Sequence, residues 1–104
     1  MINYDKLVNI LTNKYKVVIH DSLDEGDKNY SFIVGNEIFM GEYDDNDIKI
    51  IALFHEVGHF ASCNQLNIKT TMSIISGEGI AWEFGISIAK NYGFVYDYYS
   101  KELK

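Results

Sequence analysis

Tyr4, Leu7, Val8, Leu11 and Tyr15 recur at three- and four-residue intervals and predict an amphipathic helix, with Asn3 as its N-cap. Lys16 to Asp21 then carries the β-branched run Val17-Val18-Ile19, which predicts a strand. Ser22 to Asn29, with Asp24, Glu25, Gly26 and Asp27, is polar and predicts a loop. Tyr30 to Val34 and Glu37 to Tyr43 read as two strands joined at Gly35-Asn36, where glycine supplies the positive φ of a type II′ turn. Asp44-Asp45-Asn46-Asp47 offers caps and negative charge for the start of a helix that runs to about Cys63, with Asn64 near its end. Ile48, Ile50, Ile51, Ala52, Leu53 and Phe54 make its first half apolar nearly all round, as in a helix packed on two sides. A further helix is predicted from about Ser73 to Asn91, through Ile80, Ala81, Phe84, Ile88 and Ala89. Gly77, Gly79 and Gly85 weaken its intrinsic propensity, and Gly93 marks its stop. The tail from Phe94 to Lys104 is ambiguous. Helix, three strands, helix, helix is the order of an α+β domain.

The 104 residues hold no linker or repeat and predict a single domain spanning 1–104. Nine lysines and no arginine stand against fifteen acids, a formal charge of −6. Duplex affinity rests on neutralising phosphates, so an acidic chain without a basic stripe argues against direct nucleic-acid binding. The single cysteine, Cys63, excludes a disulfide framework and a cysteine-rich metal module. Met1 to Asp5 lacks the features of a signal peptide, and the longest apolar run, Ile50 to Phe54, is far short of a membrane span. The expectation is a soluble, cytoplasmic protein without a membrane partner.

Chemistry enters at His55-Glu56-Val57-Gly58-His59, an H-E-x-x-H pattern inside a predicted helix. Positions i and i+4 share one face, so two imidazoles there can hold one Zn²⁺. Glu56, one residue on, can reach a water on that metal without ligating it. A lone helical histidine is ordinarily a packed residue; two at this spacing around an acid favour the metal. Catalytic zinc takes three protein ligands and leaves one position for water. The extended pattern with a third histidine fails, since Ser62 and Gln65 occupy its glycine and histidine places. His20 lies on a strand far upstream and reads as structural or surface. Glu78 and Glu83 remain, and five residues on a helix separate them by about 140°, so only one can face the metal. Glu78 is preferred, because Gly77 and Gly79 beside it would let the backbone approach the histidine helix closely. Cys63, a further turn beyond His59, reads as a small buried hydrophobe.

The H-E-x-x-H, followed after eighteen intervening residues by Glu78-Gly79-Ile80-Ala81-Trp82-Glu83-Phe84-Gly85, resembles the gluzincin zinc metallopeptidases and, among them, the ImmA/IrrE-type family with its E-x-x-A-N-x-F-A segment. Glu78, Ala81 and Phe84 match that segment, Gly85 replaces a small alanine, and Trp82 replaces the asparagine. An acceptor at that place orients a ligand histidine, whereas indole only donates.

The resemblance implies a minimal zincin-like core with a three-stranded antiparallel-type sheet, and zinc held by His55, His59 and Glu78. Glu56 acts in it as general base and then general acid in peptide-bond hydrolysis. It further implies a regulatory protease, with a DNA-binding repressor of a prophage or mobile element as the type of substrate. The oxyanion-stabilising side chain is open among Tyr30, Tyr43, Tyr92, Tyr96 and His20. An extended substrate would lie along a sheet edge, for which Glu37 to Tyr43 is the expected strand. The competing class is a non-catalytic zinc-binding interaction module that keeps the same core.

Overall fold

The computed structural model describes residues 2–21, 30–66 and 74–96, with only the backbone of residues 64–66 and 74–78. Helix α1 spans Tyr4–Tyr15, and the Asn3 side chain accepts the Lys6 N–H at 2.8 Å, satisfying one of the donors that a helix start leaves free. It buries Tyr4, Leu7 and Leu11. Its end is closed by Lys16 in the left-handed conformation (φ 58°), whose N–H reaches Thr12 O.

Three short strands follow: β1 (Val18–His20), β2 (Phe32–Val34) and β3 (Glu37–Phe39). Val34 pairs with Glu37, so Gly35 and Asn36 form the two-residue turn the sequence predicts. Gly35 alone of the two has a positive φ (62°), as a type II′ turn requires. The sheet departs from the antiparallel type expected. Its order is β1-β3-β2, with β2 and β3 antiparallel but β1 and β3 parallel. Hydrophobic alternation reveals which face of a strand is buried, and it carries no information on partner or direction. Glu37 to Tyr43 also contributes a shorter strand than predicted, and that strand is central rather than an edge.

Register sorts the sheet's two faces. Ile19, Ile38 and Ile33 form one row toward the core, with Ile38 fully buried. Val18 and Val34 are exposed on the opposite face, where His20, Phe39 and Phe32 stack in a row. The polar loop expected at 22–29 and most of the ambiguous tail lie outside the described residues.

Helix α2 spans Asn46–Leu66, and Asp45 caps it by accepting the Asp47 N–H at 2.8 Å. Ile50, Ile51, Leu53, Phe54 and Val57 are buried, whereas Ile48 is exposed. Helix α3 spans Ile74–Lys90 and packs along α2. It ends as Gly93 predicts: φ is 85°, the Gly93 N–H reaches Lys90 O, and the Phe94 N–H reaches Ala89 O. That pair of bonds is a Schellman cap, and Phe94 folds back into the core beside Phe54. Among the described residues no helix is long and apolar enough to cross a membrane.

A polar tether joins α1, the end of β1 and α2. The Tyr4 hydroxyl donates to Asp21 at 2.8 Å, Lys49 Nζ lies 3.5 Å from the same carboxylate oxygen, and the ammonium sits 4.1 Å from the Tyr4 ring centroid. Burial, together with Asp21, holds the Tyr4 hydroxyl far above the usual phenol range. Tyr4→Phe keeps the ring and its cation contact but deletes a hydrogen bond to a carboxylate. It is expected to lower unfolding free energy by about 1–3 kcal/mol in urea titration, with an unchanged m-value.

Candidate metal centre

His55, Glu56 and His59 occupy consecutive turns of α2 and each offers a donor atom on the same side. Those atoms all lie within 4.8 Å of one another. The rings of His55 and His59 are 4.7 Å apart at centroids and nearly perpendicular, so they converge without stacking face to face. Both imidazoles are half-buried and Glu56 is 6% exposed. Two imidazoles and a carboxylate at these separations fit a divalent transition-metal ion, since small side-chain rotations close the donors onto one point. The three residues are therefore positioned to bind a metal ion.

What places them is an unusually close contact between α2 and α3. A Cβ added to Gly58 would lie 2.2 Å from Ala81 O and 2.9 Å from Gly85 N. A Cβ on Gly85 would lie 2.7 Å from Phe54 O. Backbone meets backbone at this crossing, and Gly58 stands between the two histidines of the motif. The glycines expected to permit close approach were Gly77 and Gly79. Gly79 has nothing within 4 Å of an added Cβ, and position 77 is described only in its backbone. The signal for the real contact was in the sequence: Ala81, Gly85 and Ala89 are small residues spaced by four, and all three are buried.

Trp82 acts on His55 through ring packing. Its indole lies 4.6 Å from the His55 ring centroid and 6.2 Å from that of Tyr96, so it fixes the His55 ring by packing from α3. His55 Nδ1 is buried. Behind Trp82, Tyr96 is 2% exposed, and burial raises its hydroxyl's pKa strongly.

Glu83 is exposed and does not join the converging donors. Glu78 lies on α3, but its side chain is outside the described part of the structure. Its position precedes Ala81, Trp82 and Gly85 by three, four and seven residues, the helical spacing of a shared stripe. His20 is on the outer sheet face, stacked on Phe39 and 3.2 Å from Glu37 Oε1, which agrees with its reading as a surface residue. Cys63 is exposed rather than buried. The neighbouring Ser62 turns inward instead and donates to His59 O at 3.1 Å.

Comparison of the chain with protein-family models, with curated proteins and with solved structures gave no match.

Proposed function

We propose that the chain is a zinc-dependent peptidase of the gluzincin kind, with His55, His59 and Glu78 as metal ligands and Glu56 as its acid–base residue. The observation that carries this reading is the convergence of His55, Glu56 and His59 donors within 4.8 Å on one helix. The position of Glu78 on the α3 stripe that meets α2 supports the third ligand. Zinc, when bound there, supplies a Lewis acid that acidifies a water and polarises the scissile carbonyl. Glu56 accepts the proton of the attacking water and delivers it to the leaving amine. Its burial against the helix pair keeps the carboxylate in one place through both transfers.

The substrate strand is assigned to β2 rather than β3. β2 is an edge of the described sheet, and it is the strand that packs against α2. An extended peptide there can borrow main-chain hydrogen bonds. The acidic charge suits a basic partner such as a DNA-binding repressor, acting in the cytoplasm.

Glu56→Gln tests the reading. The variant is expected to bind one zinc per chain as the wild type does and to lose peptide cleavage by about 10²–10⁴-fold. Zinc content is read by elemental analysis of untagged protein, and cleavage on a peptide library. Cleavage at the wild-type rate would remove Glu56 from the mechanism. Zinc binding with no cleavage by either protein would favour the non-catalytic module.

A further inference from the structure

Trp82 stands in the middle of a row of three rings. On one side its indole lies 4.6 Å from the His55 ring at centroids, and on the other it meets Tyr96 edge-on at 6.2 Å. His55 belongs to the converging donors on α2, whereas Tyr96 belongs to the short segment that follows α3. The row therefore joins the metal centre to a distant stretch of the chain.

That stretch is docked by side chains. Gly93 and the Phe94 N–H bond to Ala89 O turn the chain back after α3. Phe94 and Tyr96 are then buried, while Val95 between them is 45% exposed. No helix or strand includes these three residues, and the Phe94 and Tyr96 rings pack against Phe54 and Trp82. The fit around Tyr96 is close and incompletely satisfied. A Cβ added to Gly85 would lie 3.2 Å from the Tyr96 hydroxyl, so the phenol fills the space this glycine leaves beside the α2–α3 crossing. The hydroxyl is buried there with no hydrogen-bond partner among the described residues. Burying an unpaired hydroxyl costs free energy and offsets part of what the ring gains.

A metal held through His55 needs that imidazole in one orientation, and groups behind a ligand histidine set its orientation. Trp82 restricts the ring from the α3 side, and Tyr96 braces Trp82 in turn. Coupling between two sites is reciprocal, so whatever docking of Tyr96 does for the metal, the metal does for the docking.

We propose that Trp82 and Tyr96 are positioning residues for the metal centre, and that the segment from Phe94 to Tyr96 is a latch whose docking and metal binding strengthen each other. The latch rests on the reading of His55 as a metal ligand, and not on peptide cleavage. It tunes the centre from a residue outside the donor group.

The test follows cobalt(II), whose ligand-field absorption reports binding, in the full chain. Trp82→Leu is expected to weaken cobalt about 10-fold or more, and Trp82→Phe, which keeps a ring against His55, to stay within about 3-fold of wild type. Tyr96→Leu is expected to weaken it about 5-fold. Tyr96→Phe keeps the ring and deletes the unpaired hydroxyl, so it should tighten cobalt about 2-fold. Hydrogen exchange on the wild type needs no variant. Saturating zinc should slow exchange of the Phe94 amide by about 5-fold and leave the Lys16 amide at the end of α1 unchanged. Wild-type cobalt affinity in folded Tyr96→Leu overturns the latch, as does an equal Phe94 exchange rate with and without zinc. Weaker cobalt binding in Tyr96→Phe overturns the penalty assigned to the hydroxyl. Trp82 is the chain's one tryptophan, so cobalt bound at His55 should quench its fluorescence. Unquenched fluorescence in the wild type overturns the metal reading and the latch with it.

Discussion

Gly58→Ala is expected to remove about 4 kcal/mol or more of the chain's folding stability at room temperature. The added methyl would sit 2.2 Å from a backbone carbonyl oxygen, and no rotamer change can relieve a clash between two backbones. Relief requires α2 and α3 to move apart along the crossing, which opens the packing around Val57, Ala81 and Ile88. Overpacking of this kind costs about 1–3 kcal/mol when side chains can yield, and more when they cannot. A cost of about 4 kcal/mol or more is expected, against a typical total near 5–15 kcal/mol. Gly85→Ala meets Phe54 O at 2.7 Å and should fall in the same class. Gly79→Ala is the control, because an added methyl there meets nothing within 4 Å. It should raise stability by about 0.5–1 kcal/mol through helix propensity alone. Urea unfolding followed by circular dichroism separates the three. A Gly58→Ala midpoint close to wild type would mean that the helices are not in backbone contact.

His59→Ala should abolish the response of stability to zinc. A ligand present at a thousand times its dissociation constant stabilises the native state by about 4.1 kcal/mol. For a domain of this size that corresponds to a rise in Tm of roughly 15 °C or more. Losing one of two imidazoles on the same helix is expected to weaken zinc by at least about 10³-fold, which reduces the gain at the same zinc concentration to a few tenths of a kcal/mol. His55→Ala should do the same and cost about 1 kcal/mol more without metal, because it also strips the face of Trp82. Scanning calorimetry with and without zinc reads both quantities. A full zinc-dependent shift in His59→Ala would place the metal elsewhere.

Local signals survived the passage from sequence to structure. The Asn3 cap, the Gly35-Asn36 turn and the Gly93 stop each depend on a few adjacent residues whose chemistry admits few alternatives. The H-E-x-x-H convergence was legible for the same reason, since helical spacing alone brings His55 and His59 together. Relations between distant segments were not. The parallel pairing of β1 with β3 follows from which sheet edge the chain reaches, and no periodicity records that. Cys63 was expected inside and Ser62 takes that place, because a shift of one residue on a helix turns about 100°. Trp82 read as the loss of an acceptor, since hydrogen-bonding capacity is visible in a residue name and ring packing across two helices is not.

The crossing of α2 and α3 through Gly58, Ala81 and Gly85 bears on how the protein can change over time. The separation of the histidine-bearing helix from its neighbour is fixed by main chain, which every residue shares. Core side chains on other elements, such as Leu7 and Leu11 on α1, can therefore drift among hydrophobic alternatives without retuning the spacing of the two helices. Sequence divergence can run far in the core while the placement of His55, Glu56 and His59 stays constant, so two such chains can share that triad and little else.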